Sequence, residues 1–267
     1  PRRSCATPRG SLTARSPLPR RPWPGNRVIH TGCCGFVKSH EAYFRHFGVI
    51  EIQSTFYKPP MVKTALRWRE EEAPPGFRFA LKAWQLITHP RHSPTYARAG
   101  LDIPASATGR YGSFRPTPEV LDAWERTFEI ATALRATVVV FQCPASFAPT
   151  PQNMDNMRAF FGQVRRDGMV FAWEPRGAWP DADVAGLCRE LNLVHCVDPF
   201  KRPPVTAGLA YFRLHGINGY AYDYRYSDED LARLEEACRP FDETYVLFNT
   251  ASMWDDALRF KELLAKR

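Results

Sequence analysis

Short runs of apolar and β-branched residues alternate along the chain with longer amphipathic stretches. Apolar runs of about 4–8 residues that end at polar positions are typical of strands buried on both faces of a parallel sheet. The predicted strands are Val28–Thr31, Val49–Gln53, Phe77–Lys82, Thr137–Gln142, Met169–Glu174, Leu193–Val197, Ala210–His215 and Thr244–Asn249. The pattern therefore predicts eight β/α units in succession.

The stretches between these strands have the apolar spacing of surface helices. Two of them begin with capping signals, because Thr117 precedes a proline and Ser227 precedes an acidic first turn. The predicted helices are Glu41–Phe47, Val62–Glu72, Pro118–Leu134, Gln152–Arg166, Asp181–Leu191, Ser227–Cys238 and Trp254–Lys266. Residues 198–209 contain two consecutive prolines, so no helix is expected between the sixth and seventh strands.

Eight β/α units in residues 28–267 predict an α/β protein with one closed, TIM-type (β/α)8 barrel domain. An open dinucleotide-binding sheet is less consistent with the sequence, because Gly32 and Gly35 do not form a G-x-G-x-x-G motif. Residues 1–27 contain six prolines and no periodic apolar pattern. We expect them to form a disordered N-terminal tail.

The net charge of +8 resides mainly in this tail, because residues 1–27 contain seven arginines and no acidic residue. The other 240 residues carry 29 basic and 28 acidic side chains. Such a tail can hold phosphate backbones or remain solvated. No apolar run is long enough to predict a membrane span. Seven scattered cysteines without C-x-x-C spacing predict free thiols and a cytoplasmic location.

Large ionisable residues lie in or beside several strands that should be buried. In β/α barrels, catalytic side chains project from the C-terminal ends of the strands and from the loops that follow. The residues in such positions are Glu51, Lys82, Glu174, Arg213 and His215. Because buried charges need partners, these residues should pair with one another or bind a polar ligand at one mouth of the barrel.

Several short motifs occur in a characteristic order. They are Gly32-x-x-Gly35-Phe36, Glu51–Tyr57 (EIQSTFY), Phe77–Ala83 (FRFALKA), Phe141–Phe147 (FQCPASF), Trp173–Trp179 (WEPRGAW) and Arg213–Gly216 (RLHG). Through them the chain resembles the YecE-like family, a domain of unknown function, over about residues 28–260. The resemblance implies a TIM-type barrel with a loose relation to sugar isomerases, and no established activity.

The residues at the strand ends suggest acid/base chemistry. Glu51 and Glu174 could divide into an acid and a base, and His215 could carry a proton near neutral pH. The predicted substrate-binding residues are Gln53, Tyr57, Lys82, His89, Gln142, Arg176, Asp198, Arg213, Tyr226 and Asn249. Within that set the two arginines and the lysine would form an anion clamp. We therefore predict an isomerase- or hydrolase-type enzyme for a small anionic or phosphorylated sugar-like substrate.

Two other functions are compatible with the same residues. Residues 83–116 form a long basic and aromatic segment that could act as a lid, and with the tail they could serve a nucleic-acid-processing enzyme. A non-catalytic binding barrel is the other alternative, with Glu51–Lys82 and Glu174–Arg213 as internal ion pairs. A divalent metal on the acids and His215 is conceivable but not favoured beside three basic residues. Cofactors and oligomeric state stay open.

Overall fold

A computed structural model of the chain describes residues 27–217 and 222–266. Within them, eight parallel strands form a closed barrel in which each strand pairs with its neighbours in sequence and β8 pairs with β1. The strands are β1 (Val28–Cys34), β2 (Val49–Ile52), β3 (Arg78–Lys82), β4 (Val138–Gln142), β5 (Val170–Glu174), β6 (Val194–Val197), β7 (Leu209–Leu214) and β8 (Glu243–Phe248). The predicted (β/α)8 barrel is confirmed. Apart from Arg27, the predicted tail lies outside the described residues.

Helices surround the barrel. They are α1 (His40–His46), α2 (Ser54–Tyr57), α3 (Val62–Arg67, continued by a π-helix over Trp68–Glu72), α4 (Gln85–Thr88), α5 (Pro94–Arg98), α6 (Pro118–Leu134), α7 (Pro151–Gln163), α8 (Asp181–Glu190), α9 (Asp228–Cys238) and α10 (Met253–Ala265). The predicted caps are present at α6 and α9, where Thr117 and Ser227 accept backbone N–H bonds. Residues 198–208 contain no helix, as expected. In the part of the chain that the structure describes, no helix has the length and apolar character needed to cross a membrane.

Side chains on the strands alternate between the barrel interior and the helix layer, with a period of two residues. Inside the barrel lie small and aliphatic residues such as Val49, Ala80, Val140 and Ala172, together with Tyr211. Two residues further along each of these five strands, the inward positions carry Glu51, Lys82, Gln142, Glu174 and Arg213, all buried. The alternation therefore brings these polar side chains into the barrel interior near the C-terminal mouth.

Residues 83–116, which the sequence allows to be either a lid or a packed surface loop, have a folded structure. They contain α4, α5 and a single 3-10 turn, Ala105–Ala107. The end of the segment returns to its beginning, since the backbone N–H groups of Gly112 and Phe114 donate to the carbonyls of Leu86 and Ile87 at 2.8 and 2.9 Å. Periodicity could not reveal α4 and α5, because helices of four or five residues are too short to show it.

Replacing Gly112 with alanine should destabilise the folded segment 83–116. Gly112 has a φ of +76°, and a Cβ at this position would lie 2.2 Å from the carbonyl oxygen of His89. Gly109 is a matched control, because its φ is +88° but nothing lies within 4 Å of its Cβ position. We expect G112A to lower the free energy of unfolding by about 1–3 kcal/mol more than G109A. Equal losses in urea denaturation would contradict the close approach.

Candidate active site

Arg213 is the centre of a buried ionic cluster at the barrel mouth. Its side chain is 1% exposed. Its Nε atom donates to both carboxylate oxygens of Glu51, at 3.2 and 3.0 Å, and its Nη1 atom donates to Glu174. Although burial alone would lower the pKa of Arg213, the two carboxylates hold it well above its usual value. The guanidinium therefore joins β2, β5 and β7 across the barrel.

In both carboxylates of this cluster, each oxygen accepts a hydrogen bond. Tyr211 donates its hydroxyl to Oε2 of Glu51 at 2.9 Å, in addition to the bonds from Arg213. The second oxygen of Glu174 accepts a bond of 2.6 Å from Nε of Arg176. Burial would raise the pKa of Glu174, but the charges of Arg213 and Arg176 hold it well below its usual value. Glu174 is consequently an ionised group at neutral pH, as the predicted Glu174–Arg213 pair requires.

Lys82 has different partners from those predicted. Its Nζ atom donates to Oε1 of Gln142 at 2.9 Å and lies 3.9 Å from the ring centroid of Phe56. The predicted Glu51–Lys82 ion pair is wrong, because Arg213 occupies the position beside Glu51. Burial, and then the charge of Arg213, lower the pKa of Lys82 to about 7. Lys82 can therefore gain and lose a proton at neutral pH.

His215 and Asp198 lie beside the cluster. Nε2 of His215 is 3.2 Å from Nη2 of Arg176, so it is placed to accept a bond from that guanidinium. Burial and the charge of Arg213 lower the pKa of His215 to about 3, so the ring is neutral rather than titrating near pH 7. The carboxylate of Asp198 accepts backbone N–H bonds from His215 and Phe200, at 3.0 and 3.1 Å. Burial raises the pKa of Asp198.

The other predicted binding residues form smaller groups. Gln53 donates its amide to Oδ1 of Asn249 at 2.9 Å, and both side chains are half-buried. Tyr57 is also half-buried and packs edge-on against Phe56. His89 is buried against the same phenylalanine, and burial and the Lys82 charge lower its pKa to about 3. His89 is therefore placed beside Lys82 as a neutral ring.

Tyr226 is buried behind the mouth. Its hydroxyl accepts the backbone N–H of Gly216 at 2.9 Å, and its own N–H donates to Asp256. These contacts fix the turn that follows β7. Tyr226 therefore lies behind the mouth, bound to the residue that follows His215.

Three contributors to the mouth were not predicted. Tyr211 stands two residues before Arg213 on the same inward face, so the period of two could have indicated it. Lys201 and Arg202 follow β6 and line a cavity together with Arg176. Their only sequence signal is a basic pair just after a strand end, which is common on protein surfaces.

The arrangement does not suit a divalent metal at the predicted ligands. Among the described residues, no group of three or more histidine, cysteine, aspartate or glutamate side chains is arranged to hold a metal ion. Glu51 and Glu174 direct their oxygens at Arg213, and a guanidinium at that position would repel a cation.

Known proteins share both the family profile and the fold. The profile of a family described as "Protein of unknown function DUF72" matches residues 38–267. A DUF72 family protein (EF0366) from Enterococcus faecalis V583 has a TM-score of 0.66 and 19% identity, covering 90% of this chain and 98% of its own. Another (TM1631), from Thermotoga maritima MSB8, has a TM-score of 0.62 and 21% identity, covering 90% of this chain and 100% of its own.

A more distant structure is endonuclease IV from Thermus thermophilus. It has a TM-score of 0.51 and 14% identity, over 91% of this chain and 100% of its own. No curated protein matches the sequence. At these identities the structural likeness shows the fold alone, so the chemistry has to be argued from the barrel mouth.

Proposed function

Because this chain belongs to the DUF72 family, the YecE-like family whose description names no function, we propose a function from its barrel mouth. The proposed function is that of an acid/base enzyme, of isomerase or hydrolase type, for a small anionic sugar-like substrate. The substrate would bind at the C-terminal ends of the strands, where barrel enzymes carry their active sites.

The observation that carries this proposal is the charge balance of the buried cluster. Arg213 and Arg176 bind Glu51 and Glu174, so these two pairs balance each other. Lys82 is a third basic group, buried against the amide of Gln142 and the ring of Phe56. When Lys82 is protonated, the cluster holds one more positive charge than the two glutamates match, and an anionic substrate would offset it.

Proton transfer belongs to Lys82 in this proposal rather than to Glu51, Glu174 or His215. General acid/base catalysis is most effective when the pKa of the group lies near the working pH. Lys82 meets that condition with a pKa of about 7, whereas the pKa of Glu174 is well below its usual range and that of His215 is about 3. The two glutamates hold Arg213, and His215 supports Arg176 as a positioning residue.

Several amides and a phenol would orient the substrate around Lys82. Gln142 accepts bonds from both Lys82 and Arg213, at 2.9 and 3.4 Å, so it couples the proton-transfer group to the ionic cluster. Gln53, Asn249 and Tyr57 present half-buried polar groups suited to sugar hydroxyls. In these roles they would hold the reacting carbon near Lys82.

Exchange of a substrate C–H proton with solvent is the direct test. In deuterated buffer, small sugar acids and sugar phosphates would be followed by proton NMR for loss of the signal next to a carbonyl. We expect Lys82→Met to slow exchange by about 10²–10⁴-fold, the usual contribution of a positioned proton-transfer group. Lys63→Met, an exposed control on α3, should exchange at the wild-type rate.

Two results would contradict the proposal. Exchange at the wild-type rate in Lys82→Met would remove Lys82 from the reaction. Saturable binding of such compounds without exchange or turnover of any of them would instead support the non-catalytic binding barrel.

The nucleic-acid alternative has less support from the geometry. In the segment 83–116, Arg91 and Arg115 donate to backbone carbonyls of the same segment. Arg110 pairs with Glu119 at the start of α6. These cations therefore stabilise the segment 83–116 itself. The likeness to an endonuclease concerns the fold alone. We therefore retain nucleic acid as an alternative partner and not as the proposed one.

A further inference from the structure

A cavity of about 170 Å³ lies beside the ionic cluster, at the ends of β5, β6 and β7. We infer that this cavity binds the phosphate group of a phosphorylated substrate, through Arg176, Lys201 and Arg202. The inference rests on the proposed function and names its substrate class. It places the phosphate after strands 5–7, rather than after strands 7–8, where barrel enzymes frequently bind phosphate.

The cavity is lined by cations from two separate connections. Arg176 follows β5, whereas Lys201 and Arg202 lie between β6 and β7. Their side chains are 24%, 26% and 27% exposed, so they are neither buried in the core nor fully solvated. Partly desolvated cations bind an oxyanion more strongly than fully solvated ones, because the surrounding dielectric constant is lower.

The acidic residues of the lining already have partners. Glu174 is bound by Arg176 on one oxygen and by Arg213, which is not a lining residue, on the other. Asp198 accepts two backbone N–H bonds, and its Oδ2 atom lies 3.7 Å from Nζ of Lys201. Three cations and two carboxylates therefore line the cavity, while Glu174 and Arg202 each also bind a partner outside the lining, Arg213 and Asp181. Among the lining residues themselves, cations outnumber carboxylates.

The cations are held in place before any ligand binds. Arg202 pairs with Asp181 at the first residue of α8, and Arg176 is held by Glu174 and the neutral ring of His215. Side chains that are already ordered lose less entropy on binding than free surface chains do. This order distinguishes the cavity from a chance grouping of mobile basic residues.

The volume limits the ligand to a compact group. Pockets for larger organic ligands are usually about 300–1,000 Å³. A phosphate group fits this space. The rest of the substrate would extend past Glu174 and Gln142, which are neighbours in the β4–β5 register, towards Lys82.

Calorimetric titration of the full chain with inorganic phosphate tests the inference, with chloride keeping the ionic strength constant. We expect saturable binding, and an affinity about tenfold lower in both Lys201→Gln and Arg202→Gln, since each removes one charge-assisted contact. Arg165→Gln is the matched control, because it removes an equal charge from an exposed pair with Glu125. It should leave the affinity unchanged.

A second titration, with glycerol phosphate, separates a substrate group from a free ion. Competition between glycerol phosphate and inorganic phosphate supports the inference, whereas binding of inorganic phosphate alone overturns it. An equal loss of affinity in Arg165→Gln, or no binding by the wild type, also overturns it. Because titration requires no turnover, this inference and the proton-transfer role of Lys82 can fail independently.

Discussion

Replacing Arg213 with methionine is expected to lower the free energy of unfolding at neutral pH by about 3–5 kcal/mol. Methionine fills much of the same space but leaves Glu51 with the Tyr211 hydroxyl and Glu174 with Arg176. Removing one partner of a buried ion pair is more harmful than replacing the whole pair, because the remaining charge stays desolvated. Since Arg213 binds both glutamates, two carboxylates are affected by one substitution.

The loss of unfolding free energy in Arg213→Met should depend on pH. In the wild type the pKa of Glu174 is below its usual value, so its contribution to stability is present at neutral pH and disappears only in acid. In Arg213→Met, protonation of the buried carboxyl groups relieves the penalty. The deficit measured by urea denaturation should therefore shrink as the pH falls from about 8 to about 5.

Two further variants make the Arg213 experiment decisive. Arg176→Met removes a half-buried guanidinium that binds only one of the two glutamates, so its deficit should be smaller. Adding Glu51→Gln to Arg213→Met should restore part of the lost stability, because a neutral amide replaces a buried charge. A deficit that is independent of pH would show that lost packing, and not charge, causes it.

The fold could be predicted because the barrel imposes two simple patterns on the sequence. A strand such as Val138–Gln142 is buried on both faces, so it is apolar throughout until it reaches the mouth. At the mouth the inward positions become polar, as in the change from Ala172 to Glu174. Both patterns are local, and eight repetitions reinforce each other. The position of the charged residues near the mouth could be predicted for the same reason.

The pairing within the mouth could not be predicted in the same way. Whether Glu51 binds Lys82 from the adjacent strand β3 or Arg213 from across the barrel depends on side-chain length and direction. Sequence spacing contains no information on that choice. The pairing also decides which residue can transfer a proton, because the pKa of a buried group depends on its neighbours. The sequence therefore predicts Lys82 only as part of an anion clamp.

Lys82→Met should change how the free energy of unfolding depends on pH between about pH 7 and pH 9.5. The pKa of Lys82 is lowered to about 7, and in an unfolded chain it is near 10.5. Between these values the unfolded state holds a proton that the folded state has released, so this residue makes stability rise with pH. One such proton corresponds to about 1.4 kcal/mol per pH unit, an upper limit for a group with polar neighbours.

Below pH 7, the charged side chain of Lys82 is buried in the folded protein, and methionine at this position avoids that penalty. The variant should then be more stable than the wild type by about 1–4 kcal/mol at pH 6. The advantage should decline steadily as the pH is raised to about 9.5. Urea denaturation of both proteins across this range measures the difference, and Lys63→Met, exposed on α3, should show none.

The same measurement bears on the chemistry. If the stability difference varies with pH as expected, the folded protein releases a proton from Lys82 near neutral pH, which is what a proton-transfer group at that position must do. The rate of substrate exchange should then change with an apparent pKa near that of Lys82. A difference that stays constant from pH 6 to pH 9.5 would mean that Lys82 remains charged throughout. Lys82 would then bind anions and could not act as the base.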